Sequence, residues 1–138
     1  MNAELSTSKL HDIVHIGMRA TIGVIFIVHG FGKFGNPGFG GWISSMGIPA
    51  EMQIPIALAE FIPGILLLIG VLTRISGALL SIVMLGAIFL VKGATSLTGD
   101  KGYEFELILL AVSLVVIVSG PGRISISHLI KKIPRVLQ

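Results

Sequence analysis

An α-helix rises about 1.5 Å per residue and needs roughly 17 to 25 apolar residues to cross a bilayer. The sequence carries four runs within or near that length, at 13–34, 54–72, 75–91 and 103–119. Outside them little remains that could build a water-facing core. Only 12% of the residues are charged, against roughly 25% in a soluble domain, and the mean hydropathy is +0.94. The fold class that follows is an all-α integral membrane protein, a four-transmembrane-helix bundle over residues 1–122 with a basic amphipathic tail at 123–138. No second globular domain can be made from the short polar pieces. In lipid, hydrophobic burial does not hold helices together, so close packing and internal polar pairs must do so.

The second and third runs are separated only by Thr73 and Arg74, which predicts a tight hairpin of antiparallel helices. Between the first and second runs lies a stretch rich in Gly and Pro, predicted to be a loop at the membrane interface. Trp42, with Phe39, Ile43 and Met46, could anchor it among the headgroups; it is either a plain connection or a lid. Gly30, Gly32 and Gly35 match the G-x-G-x-x-G dinucleotide pattern, but they follow a membrane helix and open no βα unit, so the match is rejected. The expected role of these glycines is to end the first helix and let the chain turn.

With both termini in the cytoplasm, the inner side collects Lys9, Arg19, Arg74, Arg123, Lys131, Lys132 and Arg135, and the outer side Lys33, Lys92 and Lys101. Seven cations against three favours that orientation in a cell membrane. The N-terminal residues, with two acids and one lysine and no small-residue cleavage site, do not read as a cleaved signal peptide. After Gly120, Pro121 and Gly122 break the last run, Ile126, Leu129, Ile130 and Ile133 recur at helical spacing with bases opposite. This tail is expected to form a short interfacial helix on anionic lipid headgroups, or else to act only as a basic tail that fixes topology.

Ionisable residues inside the apolar runs are the candidates for chemistry. On the first helix Arg19, Gly23, Phe26, Gly30 and Lys33 share one face, with His29 beside it. Glu60 on the second helix falls at a depth similar to His29. An isolated carboxylate in hydrocarbon is costly, so Glu60 should face the bundle and pair with His29 or Lys33, or else stay protonated. The expected cluster is Glu60, His29 and Lys33, with Glu104 at its rim. It could bind a polar headgroup such as a quinone ring, or pass protons; the alternative is an ion pair that only locks helices.

Metal binding is not expected: no E-x-x-H or H-x-x-x-H spacing joins the candidate ligands Glu60, His29, Glu104 and Glu106, and His11 and His15 lie near the opposite interface. The sequence contains no cysteine, so the chain itself runs no thiol chemistry. Arg19 has no nearby acid. Its expected acceptors are backbone carbonyls near Ser119 and Gly120, or lipid phosphates reached by snorkelling. Gly64, Gly77 and Ser81 suit close helix packing.

Several of these residues fall into an ordered pattern. Arg19, Gly23, His29, Gly30 and Lys33 are followed by Glu60, Gly64, Gly70, Thr73 and Arg74, then Glu104, then Gly120, Pro121, Gly122 and Ser125. Over nearly its whole length the chain resembles the DoxX family. The resemblance implies a four-helix membrane protein often described as an oxidoreductase component, in a family named for similarity to a subunit of a thiosulfate–quinone oxidoreductase. The polar positions that match are Arg19, His29, Lys33, Glu60, Arg74 and Glu104, with Arg19 and Arg74 taken as structural. The sequence departs at Ser127, where an acid is expected, so no role of that acid carries over.

The first functional expectation is therefore a membrane subunit that supports quinone-linked oxidoreduction, with quinone as a possible ligand and no certain cofactor. The second is a non-catalytic assembly or stabilising subunit of a larger membrane complex, and the third a small-solute transporter. Expected partners are the bilayer and other membrane subunits or a second copy of the chain, with no nucleic acid.

Overall fold

The computed structural model describes residues 9–122, 124–130, 132, 134 and 136–138. Among the described residues all regular structure is helical. Helix α1 (Lys9–Phe34) has 26 residues. A short helix α2 (Pro37–Ser44) and a single 3₁₀ turn at Ala50–Met52 lead into α3 (Gln53–Ile69). Helix α4 (Thr73–Gly86) continues as a π-helical turn over Ala87–Val91, and α5 (Glu104–Ser119) is followed by one last turn, α6 (Ile126–Leu129). Lys9–Phe34, Ala50–Ile69 and Thr73–Val91 are long and apolar enough to cross a membrane. Helix α5 has 16 residues.

α1 packs on α3, α3 on α4 and α4 on α5, while α5 closes back on α1 through a lighter contact. The core between them is Ile22, Phe26, Leu67, Leu80, Met84, Leu109 and Val116. The α1–α3 contact is made by glycine. A methyl group added at Gly23 would lie 2.8 Å from the Gly64 carbonyl oxygen, and one at Gly30 would lie 2.6 Å from the Phe61 backbone nitrogen. Backbones approaching this closely maximise dispersion contact where lipid offers no hydrophobic drive. Gly77 does the same for α4 and α5, its position leaving only 3.0 Å to the Ser113 carbonyl oxygen.

The expectation that Gly30, Gly32 and Gly35 end the first helix is corrected by this packing. The helix runs through Gly30 and Gly32 to Phe34, and only Gly35 lies in the turn. Gly30 is there because the neighbouring backbone leaves no space for a Cβ, not because the chain turns. The next connection also differs from a plain loop. Asn36 caps α2 by accepting a hydrogen bond from the Gly38 N–H at 3.0 Å, and Pro37 fills the first turn, where no N–H is needed.

The α3–α4 hairpin forms as predicted, with Gly70 at φ 75° and Leu72 at φ 51° making the reversal. The amphipathic tail helix is represented in the described residues only by α6, whose Ser127 N–H donates to the Gly70 carbonyl at 3.1 Å. Arg123, Lys131, Ile133 and Arg135, on which the interfacial reading also rested, lie outside the described residues.

Candidate functional site

The buried face of α1 carries Arg19, Ile22, Gly23, Phe26 and Gly30, and the helical repeat puts Lys33 on the same face, three residues beyond Gly30. Gly30 rests on the Ala57–Phe61 turn of α3. This contact brings Lys33 beside Glu60, and the two form an ion pair in which the Glu60 side chain is 5% exposed. Of the partners open to Glu60, Lys33 is the one the fold selects. The Gln53 amide ties the end of α1 to the start of α3 by donating to the carbonyls of Lys33 at 2.8 Å and Asn36 at 2.9 Å. The Lys33 ammonium also lies 5.6 Å from the centre of the Phe39 ring, close enough for a cation–π attraction.

Lys33, Glu60 and His29 line one cavity of about 890 Å³. Its walls are otherwise mostly apolar: Phe39, Trp42 and Ile43 from α2, Met84, Ala87 and Leu90 from α4 and its π turn, and Phe105 and Leu109 from α5. His29 does not bond Glu60. Its Nδ1 donates to the Ile25 carbonyl one turn back, at 2.8 Å, and its ring lies 5.8 Å from that of Phe105. With Nδ1 engaged, Nε2 is the ring atom left for a ligand.

A second ion pair stands in the same wall, Lys92 with Glu106 at 3.7 Å. One oxygen of Glu106, Oε2, is buried without a hydrogen-bond partner. The rim position expected for Glu104 is thus filled by Glu106; Glu104 is exposed at the first turn of α5 and outside the cavity wall. The signal was in the sequence. Glu106 precedes Leu109, Ser113 and Val116 at spacings of three, four and three, and those three are the buried residues of α5. Asp100 and Lys101 complete the ionic lining, which holds three ammonium groups (Lys33, Lys92, Lys101) and three carboxylates (Glu60, Asp100, Glu106).

The opposite end of the bundle has no such cavity residue. Arg19 is 1% exposed and donates to the carbonyls of Pro121 and Ile124, the latter at 2.7 Å. It caps the chain just past α5 rather than snorkelling. The glycines make room for it and for its neighbours: a Cβ at Gly70 would lie 2.9 Å from the Arg19 Cζ, and one at Gly120 would lie 3.2 Å from the Arg74 Nε. His15 fills the corresponding space at Gly122 and shares a hydrogen bond with the Ser119 hydroxyl at 3.0 Å. At this end Arg19 thus bonds the chain beyond α5, while Arg74 packs against Gly120 with its Nε buried and without a hydrogen-bond partner among the described residues. Among the described residues, no three His, Asp or Glu side chains are placed to hold one metal ion.

Comparison with known proteins agrees with this membrane architecture. No solved structure matches the chain. The chain is 35% identical over 108 residues, 78% of its length and 81% of the relative's, to a Bacillus subtilis protein named "Putative oxidoreductase CatD". To the inner membrane protein YqjF of Escherichia coli it is 31% identical over 130 residues, covering 90% of this chain and 97% of that one. A membrane protein of Mycobacterium tuberculosis is 32% identical over 132 residues, 85% of this chain and 81% of its own. The family model named DoxX matches residues 15–93, the stretch that contains Arg19, His29, Lys33, Glu60 and Arg74. By that match and these relatives, the chain belongs to the DoxX family of membrane proteins.

Proposed function

We propose that the cavity binds the head of a quinone and that the protein is a membrane subunit supporting quinone-linked oxidoreduction. The observation that carries this reading is the lining itself. Apolar walls enclose ionic groups that balance, three cations against three carboxylates, so the site suits a neutral, dipolar ring better than an ion. An ion would meet a charge of its own sign in each pair. The word oxidoreductase in the name of the Bacillus subtilis relative supports the redox part of this reading.

In this reading Lys33 donates a hydrogen bond to one ring oxygen, and Glu60, once Lys33 turns to the ligand, takes or gives a proton there. His29 Nε2, without a hydrogen while Nδ1–H bonds Ile25, accepts the hydroxyl hydrogen at the other oxygen of the quinol, and donates to a quinone oxygen only as the imidazolium. Reduction of a quinone to a quinol takes two electrons and two protons. Glu60 and His29 carry one proton each, and the two electrons pass to or from a flavin, haem or iron–sulfur group of a partner subunit. The protein crosses the membrane four times with both termini cytoplasmic, and the cavity opens at the outer leaflet.

A second reading, an assembly subunit with purely structural charges, is supported by the way Lys33–Glu60 and Gln53 tie α1 to α3. Trp42 is the one tryptophan of the sequence and lines the cavity, so its fluorescence reports binding of decylubiquinone to the purified protein. Glu60→Gln and His29→Ala are expected to weaken that quenching about tenfold or more while the protein stays folded. If both variants quench as the parent does, and only the set of proteins that co-purify changes, the assembly reading replaces this one.

A further inference from the structure

A second hollow, of about 280 Å³, lies between α1 and α5. Thr21 and Ile25 line it from α1, and Ile108 and Val112 from α5, with Phe105 and Leu109 shared between its wall and that of the cavity. The groove thus adjoins the cavity, with these two side chains standing between them. Thr21 is the single residue of this lining that could offer a polar atom, and its hydroxyl is spent on the Gly17 carbonyl at 2.7 Å. The groove therefore presents hydrocarbon alone. It sits where the bundle is most loosely closed, since α1 and α5 touch lightly, and its lip faces outward: Ile108 is 61% exposed.

Building on the reading of the cavity as a quinone-head site, we infer that the ligand enters sideways from the lipid and leaves its hydrocarbon chain in the α1–α5 groove. The ligand class is then a membrane-dissolved amphiphile with a neutral ring and a long apolar chain, not a small water-soluble quinone. Phe105 stands at the junction with its ring beside His29, so the point where ring and chain join lies between the aromatic wall and the imidazole. From Phe105 to Val112 the groove follows seven residues of α5, roughly 10 Å of helix. A chain lying there runs parallel to the lipid tails and gives up little of its apolar surroundings, so entry requires no passage through water.

The test uses Trp42 quenching by two probes, decylubiquinone and the same ring without its decyl chain, on purified full-length protein. Val112→Phe plugs the groove from α5 and Thr21→Phe from α1; neither residue lines the cavity, and neither change adds a tryptophan. Both variants are expected to weaken decylubiquinone binding about tenfold and to leave binding of the bare ring unchanged, which also shows that each variant is folded. Should one of them fail to fold, the other carries the test. Equal weakening of both probes, or no weakening of either, overturns the groove while the quinone site stands. If neither probe quenches Trp42 in the parent protein, the groove and the cavity reading fall together.

Discussion

Glu60 and Arg19 are both buried charges, and what neutralises each sets what each can do. Arg19 donates from both terminal nitrogens of its guanidinium to two backbone carbonyls, those of Pro121 and Ile124, so it is held by the backbone itself. Glu60 depends on one flexible ammonium, Lys33, which can turn away without breaking backbone structure. Removing one member of a buried pair strands the other, at about 3–5 kcal/mol, whereas replacing both by apolar groups of similar size is often nearly neutral. Lys33→Met is therefore expected to lower thermal stability in detergent sharply, and the double variant Lys33→Met with Glu60→Leu to recover most of the loss. A double variant as unstable as Lys33→Met alone shows that the loss does not come from a stranded Glu60 charge. The sequence brings Glu60, His29 and Lys33 together as ionisable groups near one end of apolar helices, but leaves open whether Glu60 pairs with His29 or with Lys33. The reach of His29 is not legible there, because its bond to the Ile25 carbonyl competes locally with Glu60, and a sequence does not show which partner wins.

At the scale of the helix, the four-three repeat of Arg19, Gly23, Phe26 and Gly30 identifies the buried face of α1 without any structure. The neighbour that makes two of these residues glycine is visible only in the fold. The contrast among glycines yields a prediction with an internal control. A Cβ at Gly64 would lie 2.9 Å from the Gly23 carbonyl oxygen, whereas Gly17 and Gly32, on the same α1, have no atom within 4 Å of that position. Gly30→Ala and Gly64→Ala are expected to force α1 and α3 apart and to lose about 1–3 kcal/mol. Gly17→Ala and Gly32→Ala should instead gain up to about 1 kcal/mol from helix propensity. Thermal unfolding of the four variants decides it: equal effects at all four sites would mean that α1 and α3 do not meet through glycine. Other elements were less legible for physical reasons. α2 carries an Asn36–Pro37 start signal, yet the glycines that follow in GFGG argue against a helix, and tertiary contact of Phe39 and Ile43, 8% and 2% exposed, overrides that propensity. The π turn at Ala87–Val91, which lines the cavity, has no sequence signature at all.

For the whole molecule the four-crossing reading turns on α5. Helix α5 spans about 24 Å at 16 residues, short of a roughly 30 Å hydrocarbon core, and a short span is accommodated by local thinning of the bilayer. Its placement argues for a crossing. Phe105 and Glu106, at its start, belong to the cavity beside Lys33, while Ser119, at its end, bonds His15 near the start of α1. α5 therefore runs between the same two ends of the bundle as α1, in the opposite direction, and α6 returns to the α3–α4 turn through Ser127 and Gly70. Because the chain has no cysteine, single cysteines report side directly. With both termini inside, Ser45→Cys and Thr98→Cys are expected to react with a membrane-impermeant maleimide on intact cells, and Leu10→Cys and Val136→Cys only after lysis. Labelling of Val136→Cys from outside, with Leu10→Cys still protected, would mean three crossings. It would also leave α5 outside the bilayer, and the α1–α5 groove would then face water, where a hydrocarbon chain has no route of entry.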